Sequence, residues 1–291
     1  MTLEASFRPR GPYSLALTAR RAGDATRRFR DGVVEAVVPT AAGIERVRAW
    51  QTPDGLVHVR APSAEGIERM RFGLAVDDDH TPFLRRCEHD ELLRKTARHL
   101  RGLRQIRVAT VAHSLLRALC GQLITSRQAR NLEWRVVAAA SPAVGDLRTP
   151  PTAAALGALA PARLRALGLH GRRSASLVRL CRELDLERLR GLPTSAVEAR
   201  LLRERGVGPW SVGLVCLEGL GQSDRGLVGD LGLVKLLAAL RGEWVEGPET
   251  AELLAPYEEW AGLASVYLLA GFSRGLIPVP SRAAARAPRA A

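Results

Sequence analysis

Two helix-period stretches meet at Gly206-Val207-Gly208-Pro209, and this junction constrains the fold more than any other feature of the chain. Upstream, Ser195-Ala196-Val197-Glu198 reads as a capping box opening a helix that runs into Arg205. Downstream, Pro209 suits the first position of a new helix, where its missing N–H removes nothing. Residues 211–220 continue at helical spacing and Gly221 ends them. Glycine tolerates positive φ and lets backbone approach a partner closely. The free N–H groups of such a hairpin and helix start form a natural phosphate site. Taken alone, Gly-x-Gly describes an ordinary helix–turn–helix connection equally well.

The rest of the chain divides by its periodicity. Residues 14–20 alternate, with Leu15 and Leu17 on one face, and read as a strand. Residues 33–38 are β-rich and stop at Pro39, residues 44–50 alternate apolar with charged, and residues 56–59 follow a Pro53-Asp54-Gly55 turn. Ser63 then opens a helix with Ile67, Met70 and Leu74 on one side. From residue 77 onward the pattern is helical. Helices are expected at 91–101, 111–123 and from 126 onward, after Thr152, at 175–184, at 195–205 and at 231–240. The predicted fold class is α+β: a small N-terminal antiparallel sheet with a helix over residues 1–76, an all-helical core over 77–280, and a frayed Ala/Arg/Pro tail over 281–291.

The formal net charge is +13 and the pI about 11.0, a balance that points to a polyanionic partner. Lys95 and Lys235 are the only lysines, and the arginine bias of a GC-rich genome is the alternative explanation for that excess. With 46% apolar and 25% charged residues the chain reads as globular, with no bilayer-length apolar run and no leader pattern at Met1-Thr2-Leu3-Glu4. A cytoplasmic, nucleoid-associated monomer away from any membrane is the expectation. Cys87, Cys120, Cys181 and Cys216 form no C-x-x-C pair and read as buried free thiols. The run Asp77-Asp78-Asp79-His80 reads as a cap and linker before Thr81-Pro82, because three consecutive acids on a loop rarely converge on one ion.

Hairpin, helix, loop and Gly229-Asp230-Leu231, at this spacing, resemble the helix-hairpin-helix DNA glycosylase superfamily. Within it, Gly206-Val207-Gly208-Pro209-Trp210-Ser211 is similar to DNA-3-methyladenine glycosylase II. The resemblance extends to Ala118-Leu119-Cys120-Gly121-Gln122-Leu123-Ile124, to Trp260 and to Tyr267-Leu268-Leu269. Pro9-Arg10-Gly11-Pro12-Tyr13, with the strands that follow, looks like that subfamily's extra α/β domain. The resemblance implies an enzyme of base-excision repair that flips an alkylated base out of double-stranded DNA and hydrolyses its N-glycosidic bond.

Carried over by position, Asp230 matches the catalytic aspartate. A desolvated carboxylate beside C1′ stabilises the oxocarbenium-like state and orients water. An N-cap for the helix over 231–240 explains the same residue and fixes the same carboxylate. Trp210 stands where the lyase branch carries its Schiff-base lysine. That implies a monofunctional enzyme without AP-lyase activity, whose indole stacks on the flipped base; a core tryptophan is the alternative. Leu214 and Phe272 are the other expected base-pocket residues, both in place of the family's aromatic rings, with the alignment loose at Phe272. DNA contacts are implied for Gly206, Val207, Gly208, Gln122, Thr125, Ser126 and Arg127, and Leu123 matches the intercalating wedge. As bland alternatives, Leu123 is a core residue and Gln122 a helix cap. No organic cofactor is implied, although a sodium or potassium ion under the hairpin carbonyls is common in the family. Two alternatives stay open: a non-catalytic helix-hairpin-helix DNA-binding protein, and a glycosylase for oxidised or deaminated bases.

Overall fold

A computed structural model describes residues 2–20, 22–122 and 124–279. The chain is α+β, as read. Five antiparallel strands form a sheet in the order β1-β5-β4-β3-β2: β1 (Leu3–Phe7), β2 (Arg27–Arg30), β3 (Val33–Thr40), β4 (Gly43–Gln51) and β5 (Val57–Ala61). Helix α2 (Ala64–Gly73) packs on β3, β4 and β5, and its Ile67 and Met70, with Leu74 just beyond, enter the sheet's core. Ser63 caps it by accepting from Gly66 N at 3.0 Å.

Three details of the N-terminal reading change. Residues 14–20 are not a strand: α1 (Leu15–Ala19) is a helical turn that buries Leu15, Thr18 and Ala19, at spacings of three and four, and Ser14 caps it through Leu17 N. Five residues of Leu-Ala alternation satisfy either period, and the cap decides. Strands β1 and β2 carry little signal of their own, since each is short and β2 is three parts arginine. What makes them strands is pairing, β1 with β5 and β2 with β3, where Arg28 meets Glu35. Pro39 does not end β3. The strand continues to Thr40 because β2 pairs only as far as Ala36, so no neighbour needs an N–H from Pro39.

The helical part contains α3 (Thr81–Arg86), α4 (Arg94–His99), α5 (Val111–Gly121), α6 (Ser126–Ala140), α7 (Ala153–Ala158), α8 (Pro161–Ala166), α9 (Gly171–Glu183), α10 (Thr194–Leu202), α11 (Pro209–Leu214), α12 (Leu231–Arg241), α13 (Thr250–Leu254) and α14 (Ala261–Phe272). A two-residue hairpin, β6 (Ala143–Val144) with β7 (Leu147–Arg148), interrupts a region expected to lack strands. The helix expected over 91–101 shortens to α4 because Asp90 Oδ1 accepts from Leu92 N and Leu93 N at 2.9 and 2.6 Å, holding a turn ahead of it. The capping box at Ser195 is absent. Helix α10 begins a residue earlier, behind Pro193, and Glu198 pairs with Arg225 at 2.7 Å instead of reaching back to the helix start. That helix stops at Leu202, short of Arg205.

Two apolar cores lie within the helices. One gathers α5 to α11, and the other gathers α3, α4, α12, α13 and α14. Side chains cross the sequence divide between sheet and helices: Ala25 packs in the first helical core and Ile106 in the sheet's. The four cysteines are buried and free, and burial pushes the Cys87, Cys181 and Cys216 thiols up to about 12 and Cys120 higher still. The proposed tail over 281–291 lies outside the described residues.

Arg104 ties the sheet to the helices. It is 1% exposed and donates to the carbonyls of Ala75 at 2.5 Å, Val76 at 2.9 Å, Pro12 at 3.2 Å and Arg10. Its guanidinium stands 4.9 Å from the Tyr13 ring. The acidic run splits its work. Asp79 Oδ1 accepts from Thr81 N at 2.8 Å at the start of α3, while Asp78 pairs with the buried Arg107 and lies 3.8 Å from His80. Burial alone would raise the Asp78 carboxyl, but the His80 hydrogen bond and the Arg107 charge outweigh it and hold the group below the usual carboxylate range.

Arg104→Met should lower unfolding free energy by about 3 kcal/mol or more, because several buried carbonyls lose their donor; urea denaturation measures it. Because the Asp78 carboxyl is depressed in the fold, its contribution is complete above the unfolded value of about 3.9. It fades as pH falls through the lower folded value. Stability against pH measured for Asp78→Asn should therefore lack that acid-side decline.

Candidate active site at the helix hairpin

Helix α10 ends at Leu202, and Gly206 turns the chain at φ +91, a conformation few L side chains adopt. Val207 is buried in the first helical core, and its N–H donates to Glu204 O at 3.0 Å. Gly208 is extended at φ −110, and a Cβ there would meet nothing within 4 Å, so this backbone is open to a partner. Pro209 opens α11 without a side-chain cap. Two helices brace the hairpin. From α9, Ser176 Oγ donates to Arg205 O at 2.9 Å, and Arg179 pairs with Glu204 at 2.6 Å, with Arg200 on the other carboxylate oxygen at 2.5 Å. The Arg179 hydrogen bond leads in holding the Glu204 carboxyl below its ordinary range. From the end of α5, Gln122 Nε2 donates to Gly206 O at 2.9 Å and to Ser211 Oγ at 3.0 Å.

Trp210 and Leu214 are the partly buried side chains that pack against both helical cores, so α11 presents them in the seam between the two. The indole lies across Gly121, where an added Cβ would come within 2.6 Å of its Cη2. After α11 the helix widens into a π-helical turn (Val215–Leu220), which Gly221 closes at φ +74. The chain returns against α11 at Gly213, where a Cβ would stand 2.5 Å from Gly226 O. Ser265 Oγ accepts from Leu227 N at 3.0 Å and the buried Thr250 Oγ1 from Gly229 N at 2.8 Å, pinning the loop that ends at Asp230.

Asp230 uses both carboxylate oxygens. Oδ1 accepts from Gly232 N at 2.7 Å, capping α12, and Oδ2 accepts from Trp210 Nε1 at 3.0 Å. The indole and the carboxylate, twenty residues apart, therefore meet in the seam. Phe272, half-buried at the end of α14, packs on the second core; three residues before it, Leu269 abuts Gly232. Thr125 heads α6 in a capping box with Gln128, and Ser126 and Arg127 are exposed beside it. Leu123 lies outside the described residues. Sequence reasoning missed Ser176, Thr250 and Ser265 because each acts through a distant partner, and it named Gly121 in a motif without giving it a role. Ser211, next to Trp210, was within view but without a stated role.

A buried ion network joins α5, α6 and the π-helical turn to the Asp24–Arg27 turn. His113 Nε2 lies 2.8 Å from Glu133, Arg117 reaches Glu133 at 3.5 Å and Glu218 at 3.0 Å, and Arg27 holds Asp24 at 3.1 Å. Burial pushes the Glu218 carboxyl up against the pull of Arg117. At Glu133 burial is outweighed by the Arg117 charge and the His113 hydrogen bond, and that carboxyl is held low. Asp24, His113 and Glu133 also converge at metal-ligand distances. Two guanidiniums already neutralise this cluster, so a divalent ion would bring charge with nothing to balance it.

Gly121→Ala should displace the Trp210 ring and weaken its bond to Asp230, at about 1–3 kcal/mol of overpacking. The fluorine resonance of 5-fluorotryptophan at position 210, assigned through Trp210→Phe, should move in this variant and stay put in an alanine variant at exposed Gly191.

No family model matches the chain. In sequence it is 26% identical over 204 residues to a DNA-3-methyladenine glycosylase of Bacillus subtilis, covering 66% of this chain and 67% of that protein. In structure it resembles the 3-methyladenine DNA-glycosylase of Archaeoglobus fulgidus, with a TM-score of 0.81 at 19% identity over 93% of this chain and 98% of that one. It also resembles the 8-oxoguanine glycosylase/lyase of Clostridium acetobutylicum in complex with dsDNA, with a TM-score of 0.75 at 15% identity over 95% and 99%. The chain is thus similar in sequence to a DNA-3-methyladenine glycosylase and shares its fold with DNA glycosylases of known structure.

Proposed function

We propose that the protein is a monofunctional DNA glycosylase that hydrolyses the N-glycosidic bond of alkylated bases in duplex DNA. The observation that carries this reading is the Asp230 carboxylate, fixed at one oxygen by Gly232 N and at the other by Trp210 Nε1 within the seam. Departure of an alkylated base leaves positive charge on the sugar, and a fixed carboxylate stabilises it without having to reorganise. The same group orients water for attack at C1′. An alkylated purine is cationic, so it needs little acid assistance to leave. The half-buried indole, its N–H committed to Asp230, offers a ring face to that cation.

Position 210 has no amine, and Lys235 lies exposed on α12, five residues beyond Asp230. This supports hydrolysis without a Schiff base or strand cleavage. The hairpin at Gly206–Gly208 holds a phosphate through its backbone, and Ser126 and Arg127 add contacts at the head of α6. Gln122 acts by fixing the hairpin, since its amide nitrogen donates to Gly206 and Ser211. The wedge role for Leu123 rests on the family resemblance. A sodium or potassium ion beneath the hairpin would bind backbone carbonyls. Those of Arg205 and Gly206 each accept one side-chain hydrogen bond and keep a second lone pair.

Purified protein should release methylated bases from alkylated duplex DNA, and the product strand should break only on alkali treatment. Asp230→Asn should lower single-turnover release about 100-fold or more while DNA binding persists. Trp210→Phe should lower it about 10- to 100-fold by removing one hydrogen bond to a charged group. Release by neither wild type nor Asp230→Asn would leave a DNA-binding protein; release of oxidised or deaminated bases alone would assign a different lesion.

A further inference from the structure

A cleft of about 240 Å³ opens between the end of α3 and one face of α4, away from the Trp210–Asp230 pair. Arg94, Arg98 and Arg101 line it, with Glu88 on its rim and the buried Leu84, Cys87 and Ala97 as its floor. Arg94 and Arg98 stand at i and i+4 on one face of α4, about 6 Å apart along the axis, and Arg101 follows in the turn just beyond the helix and lines the same cleft. All three are exposed, and among the described residues no carboxylate pairs with any of them. Other arginines of this protein are neutralised, as Arg179 and Arg200 are by Glu204 and Arg241 is by Glu249 and Glu252. Three guanidiniums against one carboxylate leave the cleft with an excess of two positive charges.

Its place in the fold matters as much as its charge. Helix α4 packs against α14, with Thr96 against Gly271 and Tyr267 Oη donating to Leu100 O and Leu103 O at 3.2 and 3.1 Å. On its other side, α14 meets the start of α12, with Leu269 against Gly232, two residues beyond Asp230. A single helix, about 10 Å across, thus separates the arginine row from the helix that carries the catalytic carboxylate.

From this placement we propose that Arg94, Arg98 and Arg101 form a second DNA-backbone site, which takes successive phosphodiesters of the duplex flanking the flipped nucleotide. A row of unpaired guanidiniums suits phosphate oxygens, to which each can present two N–H groups at once. Such contacts fix the register of the duplex and read no bases. Glu88 weakens the site and limits how tightly undamaged DNA is held. The inference rests on the proposed DNA-directed activity.

The test is salt-dependent binding to a duplex extending a full helical turn, about ten base pairs, on both sides of the lesion. Each phosphate contact contributes about 0.9 to the slope of log K against log salt. Replacing all three arginines with alanine should make the slope shallower by about two to three, and the triple lysine variant should recover most of it. Glu88→Gln should shift affinity the opposite way and tighten binding, a change that a purely structural role for this face would not produce. Unfolding midpoints confirm that each variant is folded. A triple-alanine slope equal to that of wild type, measured where a Gly206→Val hairpin variant does weaken binding, overturns the second site and leaves the proposed activity standing. Tight binding of inorganic phosphate or a mononucleotide by wild type, lost in the triple variant with the duplex slope unchanged, assigns the cleft to a free phosphate ester and likewise overturns it. Wild type that neither binds duplex DNA nor releases base removes both proposals together.

Discussion

The hydrogen bond from Trp210 Nε1 to Asp230 Oδ2 is the interaction on which the rest of the arrangement depends. It closes the seam between two separate apolar cores, and Trp210 itself packs against both. One oxygen of the carboxylate already caps α12, so the indole fixes the second and with it the plane of the group. A carboxylate held at both oxygens has little orientational freedom left to lose when charge develops beside it, which is the condition for efficient electrostatic catalysis.

Holding that bond requires close approach at several places, and small residues make it. Gly121 lets the indole lie across the end of α5, Gly213 admits the carbonyl of Gly226, and Gly232 admits Leu269. None of the three needs an unusual backbone; each is defined by what a methyl group would strike. Gly206 differs, since its φ of +91 makes the turn itself. Hydroxyls complete the frame, with Thr250 and Ser265 pinning the loop before Asp230 and Ser176 pinning the hairpin. A side chain too large or a hydroxyl removed at any of these places moves the carboxylate relative to the hairpin, so the two are mechanically linked.

The charges fall into two populations with different physics. Buried ones are paired: Arg117 between Glu133 and Glu218, and Arg107 with Asp78. Arg104, fully buried, donates its two terminal amino groups to carbonyls. These join segments far apart in sequence, and breaking one leaves a polar group buried without a partner, a larger penalty than the pair's net gain. Exposed arginines without an acid partner add little to stability and leave most of the +13 charge available to a polyanion.

The amino-acid sequence by itself determined the α+β class, the strands at β3 to β5, the hairpin with Pro209 opening a helix, and Asp230 as the cap of the next one. Each is local: periodicity, a cap or a turn residue acts over a few neighbours and can be read from them. Strands β1 and β2, the helical turn at Leu15–Ala19 and the early start of α10 depended on partners elsewhere, and the sequence pattern misread or passed over them. Trp210 and Asp230 were both picked out, yet nothing in their spacing says that they touch. Tertiary structure alone decided that contact, the fit of Gly121 to the indole, the use of Gln122 on the hairpin, and the unpaired row of Arg94, Arg98 and Arg101. The physical reason is the same throughout: packing and ion pairing join residues by distance in space, and distance in space is fixed only when the cores close.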